Sequence, residues 1–185
     1  GHAAMPHLCR DAVLATAEAA VSLQGLVARE VDPHVAAVVS VTELHSGTTH
    51  NVMPSDGWLG GTVRTLDPAV REALELGIRR VAEGIAGARN VDVRVAWERG
   101  FPVLVNDPAA AATLRSAVVR SLGADRLDDG FKPLLAAEDF AFMLEARPGA
   151  YVLIGQRDDS HEAMVHHPAY DFNDRLIPIA IAVLS

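Results

Sequence analysis

A mixed α/β fold is expected from three observations. Residues 1–100 read in the order helix, strand, strand, helix, strand, which is a ferredoxin-like sandwich of antiparallel strands under two helices with its first strand missing. Near Arg99 to Val105 the character changes, through Gly100, Pro102 and then Asn106-Asp107-Pro108, and helices alternate with one brief apolar run up to residue 185. Half of the 185 residues are hydrophobic and only 5% are aromatic, enough for one large or two small cores. The expected division is therefore 1–100 for the sandwich and 101–185 for a second α/β segment.

Each element has a local cause. From about Arg10 to Val31 the residues Val13, Ala17, Ala20, Val21, Gln24 and Val27 recur at three and four, an expected helical stripe that ends at Asp32-Pro33. Ala36 to Leu44 is β-branched and short, hence a strand. A polar loop from Ser46 to Gly57 leads to a second strand, Trp58 to Thr65. Asp67-Pro68 starts a helix, since the carboxylate caps free amides while proline fills the first helical position. Val70, Leu74, Ile78, Val81 and Ile85 then form one face, and Gly87 to Asn90 closes the helix. Val91 to Glu98 alternates as a half-covered strand. A helix over about Ala109 to Leu122 stops at Gly123, Ala136 to Glu145 reads as a short helix, and Tyr151 to Gly155 as a buried strand. The last helix is expected over Asn173 to Leu184, with Asp171 and Asp174 as capping and solvated groups.

Composition removes several function classes. A net charge of −8 leaves no clustered Lys and Arg with which to neutralise phosphates, so a nucleic-acid surface is not expected. No apolar run approaches a membrane span and no basic-then-apolar leader is present, so no membrane partner is expected. The single cysteine, Cys9, cannot staple the fold, which points to a reducing compartment and hence the cytoplasm. The chain starts at Gly1 inside a glycine-led loop with no strand leading into it, the expected appearance of a sequence that begins in mid-domain.

Two loops carry histidine pairs. Val165-His166-His167-Pro168-Ala169-Tyr170-Asp171-Phe172-Asn173 is stiffened by Pro168 and reads as half of a metal site; Gly1-His2-Ala3-Ala4-Met5-Pro6-His7 is the second loop. Neutral imidazole is both a common metal ligand and an acid/base group near neutral pH. Glu138-Asp139 is a paired carboxylate that could ligate a metal or transfer protons.

With these stretches in order, joined by Asn51-Val52-Met53-Pro54, Gly61-Thr62-Val63-Arg64-Thr65 and Ala137-Glu138-Asp139-Phe140-Ala141, the chain resembles the M20 metallopeptidases and amidohydrolases along essentially its whole length. The likeness is greatest to the branch containing hippurate hydrolases and auxin-conjugate amidohydrolases. The resemblance implies that 1–100 is a ferredoxin-like dimerisation (lid) domain and 101–185 the C-terminal segment of a metal-dependent α/β catalytic domain. His166 would be a metal ligand, and His2 would cross a homodimer interface to stabilise an oxyanion in the partner's site. His167 would hydrogen-bond behind the metal, and His7 would be structural. Asn51, Arg64 and Glu138 would meet substrate, Arg64 through its two-pronged fit to a carboxylate.

The implied cofactors are two divalent metal ions, zinc, manganese or cobalt, of which this chain supplies one ligand. The implied substrate is a small N-acyl amino acid or peptide-like amide, cleaved by metal-activated water. The family's general base and other ligands lie ahead of Gly1, so the isolated chain is expected to be inactive. Ala136-Ala137 stands where the family usually has glycines, a departure that alters the pocket rim. The competing readings are an M20 exopeptidase or deacetylase with another substrate, and a non-catalytic dimerisation module.

Overall fold

A computed structural model describes residues 1–185. The fold is mixed helix and strand, in two compact units: Gly1–Val103 with Leu135–Ala137, and Leu104–Leu134 with Glu138–Ser185. No helix is long and apolar enough to cross a membrane.

In the first unit α1 (Ala12–Glu30) and α2 (Pro68–Arg89) pack on a two-stranded antiparallel sheet, β1 (Ala37–Ser46) and β2 (Gly57–Thr65). Asp11 starts α1 by accepting the Leu14 N–H at 2.9 Å, and Asp67 starts α2 by accepting that of Ala69 at 2.8 Å. Asn90, left-handed at φ 53°, ends α2, with the Val91 N–H returning to the Ala86 carbonyl. Leu23, Leu26 and Leu74 are the buried centre, with Val39, Val41 and Val63 among the residues packed against it. Since Val63 faces the helices and strand side chains alternate, Arg64 lies on the sheet's other face. A bulge between Val41 and Glu43 shifts the register, after which His45 opposes Trp58 and stacks on it at 4.3 Å.

Two expectations for this unit are corrected. The buried face of α1 is Ala12, Ala15, Thr16, Leu23 and Leu26, while Val13 and Val21 are exposed. An alanine-rich helix offers several apolar stripes, and leucine, which buries more area, decides which one packs. Val91 to Glu98 forms no strand: the Arg79 guanidinium donates to the Val95 carbonyl at 3.2 Å, but no ladder is made. A strand exists only against a neighbour.

In the second unit α3 (Pro108–Leu122) packs on α5 (Leu176–Leu184), with Val118 and Val183 buried and the Ser121 hydroxyl donating to the Ala182 carbonyl. α4 (Phe140–Ala146) starts later than its sequence suggests. Tyr151 to Gly155 is neither buried nor a strand; the Asn106 amide bonds both the N–H and the carbonyl of Tyr151, in place of a ladder neighbour. α5 is likewise shorter than expected. Neither Asp171 nor Asp174 caps it: Arg175 stands at its N-cap with no side-chain cap bond, and just ahead of it Asn173 Oδ1 accepts the Arg175 N–H at 3.1 Å.

Candidate functional site

In the first unit the chain's opening residues lie along the β1–β2 loop. His2 forms an isolated antiparallel bridge with Val52, the Met53 N–H donates to the Gly1 carbonyl at 2.8 Å, and the Ala3 N–H donates to that of Asn51 at 3.2 Å. This backbone pairing brings together His2 and Asn51, 49 positions apart by their numbers. The Ala4 N–H donates to His2 Nδ1 at 3.1 Å. With Nδ1 occupied as an acceptor, the neutral ring carries its proton on Nε2, so His2 presents an N–H donor to solvent. Asn51 Oδ1 accepts the Thr49 hydroxyl at 3.1 Å, which leaves the amide nitrogen as the exposed end. Arg64 is exposed, paired through its backbone position with Val38, and its guanidinium makes no hydrogen bond or ion pair within the chain. An unpaired guanidinium on an open sheet face can take a carboxylate through two parallel bonds. His7 sits in a 3-10 turn, Pro6–Leu8, and caps nothing.

In the second unit His166 occupies a β-turn closed by the His167 N–H to the Met164 carbonyl at 3.1 Å. Its φ of 70° is the left-handed region that the third residue of a type II turn requires, and which glycine or asparagine usually fills. A histidine held there has its backbone direction fixed at a cost. Its imidazole is exposed and makes no hydrogen bond within the chain, so both ring nitrogens are open. His167 differs: its Nδ1 accepts the Ala169 N–H at 3.0 Å, which places the ring proton on Nε2. That ring offers no lone pair outward.

Glu138 has both oxygens engaged, one by the Phe140 N–H at 3.3 Å and one by the Tyr151 hydroxyl at 3.0 Å. The Phe140 N–H, with help from Asp139 and Tyr151, holds the Glu138 carboxyl below the usual range. Its carboxylate in turn raises Tyr151 above the ordinary phenol value. The pair was not legible as a pair, because 13 residues separate them.

A second group went unread. Asp158 Oδ1 accepts His161 Nδ1 at 2.7 Å and the Ser160 and His161 N–H groups, while Oδ2 accepts the amide of Asn173 at 3.0 Å. These bonds, the His161 one first, hold Asp158 below the usual carboxylate range. The Asp-x-x-His spacing was the available signal. No group of three or more His, Cys, Asp or Glu gathers in the chain as a metal cluster, so His166 would ligate only beside donors from outside these residues.

Comparisons with known proteins agree in direction. The family model of peptidase family M20/M25/M40 matches residues 8–185. An N-acetyl-L-cysteine deacetylase of Bacillus subtilis (strain 168) is 35% identical over 176 residues, 95% of this chain and 41% of that protein. The hippurate hydrolase of Campylobacter jejuni is 30% identical over 96% of this chain and 45% of its own length. A solved Bacillus subtilis structure, described as a dinuclear metal binding peptidase from the M20 family, superposes with a TM-score of 0.74 at 30% identity, covering 94% of this chain and 44% of that one. The chain thus spans less than half the length of the relatives it matches. Matched by the family model over all but its first seven residues, the chain belongs to peptidase family M20/M25/M40.

Proposed function

We propose that the native polypeptide carrying these residues is a metal-dependent amidohydrolase that cleaves the amide bond of N-acyl amino acids or related conjugates by attack of water. The observation that carries this reading is His166: an imidazole with no partner of its own, held in a left-handed turn where the fold alone would favour glycine. His166 is assigned as the chain's metal ligand. Divalent ions, zinc, manganese or cobalt, would supply an activated water and a polarised carbonyl when bound.

The chain's other residues divide the remaining work. His2, with its proton on Nε2, donates to the carbonyl oxygen as negative charge develops there, and does so across a homodimer. Asn51 donates its amide nitrogen to the substrate, and Arg64 holds the free carboxylate of the amino-acid half. Glu138, with its oxygens engaged, forms part of the pocket rim through Tyr151. Acetyl and aroyl groups are both within the substrate class, since relatives of this chain are named for each.

The test is a panel of N-acetyl and N-benzoyl amino acids beside their methyl esters, offered to the native protein with manganese, zinc or cobalt. Free-acid substrates are expected to release amino acid and the esters to react about 10-fold or more slowly, the order of losing a charge-assisted pair. Equal rates on acids and esters would remove Arg64 from the reading, and no amide cleavage with any ion would remove the reading itself.

A further inference from the structure

The loop bearing His166 is closed at its neck by side chains rather than by strand pairing. Gln156 Oε1 accepts the Tyr170 hydroxyl at 3.1 Å and the Asn173 N–H at 3.4 Å, and its amide nitrogen donates to the Asp171 carbonyl at 3.2 Å. Asn173 closes the ring from the other side, its amide nitrogen donating to the Gln156 carbonyl at 3.1 Å and to Asp158 Oδ2 at 3.0 Å. Asn173 is 5% exposed and both ends of its amide are satisfied. Nothing in the neck is a regular element, so the position of His166 depends on these few bonds.

We propose that Asp158 is a positioning residue for His166: with one oxygen it sets the turn through Ser160 and His161, and with the other it ties that turn to the buried Asn173 amide at the far end of the loop. A carboxylate has no proton to give, so the His161–Asp158 bond requires the proton on His161 Nδ1. The Nε2 of His161 then carries a lone pair, opposite to His2 and His167. The turn and the tie are separable, because they use different oxygens. Replacing Asp158 by asparagine keeps an oxygen acceptor for the turn but turns an amide N–H₂ toward the N–H₂ of Asn173 and gives up the exposed 3.9 Å ion pair of the same oxygen with Arg175, so the tie is broken while the turn is kept. A ligand must be held within a fraction of an ångström to serve, and a loop released at its neck cannot hold His166 so.

The inference rests on His166 being the functional group of this loop, yet its test needs neither metal nor substrate. The 185-residue chain and its Asp158→Asn variant are compared by NMR at a pH where histidine is neutral. In the unaltered chain the ¹⁵N shifts of His161 are expected to show a protonated Nδ1 and an unprotonated Nε2. In the variant that signature is expected to persist, while amide exchange across residues 161–172 rises about 10-fold or more, as for local opening. The couplings and shifts that report φ at His166 are expected to leave the left-handed region, with exchange in α3 unchanged.

An Nε2-protonated His161 in the unaltered chain would overturn the proposal. So would a variant in which His166 keeps its φ and its protection, or one in which α3 loses protection equally, since Asp158 would then support the whole unit. Because only the loop is read, absence of hydrolase activity in the native protein leaves this result standing, and a failed loop test leaves the hydrolase reading to its own assay.

Discussion

Adjacent histidines should respond to glycine with opposite signs. His166 lies at φ 70° and is exposed, with no bond to lose. A left-handed conformation costs an L-residue about 1–2 kcal/mol, and glycine escapes that cost while losing about 0.5–1 kcal/mol more conformational freedom on folding. His166→Gly should therefore stabilise the chain by roughly 0.5–1 kcal/mol. His167 has no positive φ, and its Nδ1 accepts the Ala169 N–H. His167→Gly pays the same entropy and loses a hydrogen bond of about 1 kcal/mol, so it should destabilise by roughly 1.5–2 kcal/mol. At about 2–4 °C per kcal/mol for a chain of 185 residues, thermal unfolding followed by circular dichroism should separate the two variants by about 4 °C or more, on opposite sides of the parent. A His166→Gly chain that melts as low as the His167→Gly chain would refute the reasoning, because His166 would then be contributing to the fold.

Two further outcomes follow from the geometry. A Cβ on Gly61 would stand 2.1 Å from the Ser40 carbonyl oxygen, whereas one on Gly60 meets only side-chain atoms at 3.5 Å and beyond. Gly61→Ala should cost about 3 kcal/mol, since backbone cannot swing aside, while Gly60→Ala should stay within about 1 kcal/mol, both read from urea midpoints. With only two tyrosines in the chain, absorbance at 295 nm in a Tyr170→Phe background reports Tyr151 alone. Its ionisation should lie above the ordinary phenol value of about 10 and fall back toward it in Glu138→Gln. The Phe140 N–H first, and the Tyr151 bond after it, lower Glu138, so the stability the pair gives is lost as pH falls through the depressed carboxyl value. It is lost again as pH rises through the raised phenol value, and is present between the two.

The parts of the fold legible in the sequence are those with a local cause. Asp67-Pro68 and the Leu74 face defined α2 because cap, proline and stripe agree, and β1 and β2 were readable because each is the other's neighbour. Val91 to Glu98 and Tyr151 to Gly155 have strand patterns without strand partners, and pattern alone cannot provide a ladder. In α1, alanine on every side hid which stripe Leu23 and Leu26 would bury. The histidine loops stood out as motifs, and backbone pairing does bring His2 to Asn51. The ring tautomers, the left-handed φ of His166 and the Asp158–Asn173 tie did not stand out. Each depends on where a turn places a group two to fifteen residues away, a tertiary fact with no period to read.

The central claim is that His166 is present for chemistry and not for the fold. The most direct measurement is the rate of amide cleavage of an N-acyl amino acid by the native protein and its His166→Gly variant, each saturated with manganese, with metal content measured on both. The claim requires a folded variant that has lost bound metal and at least about 100-fold in rate, the order of losing a ligand or a transition-state contact. A variant that keeps both its metal and its rate would contradict it.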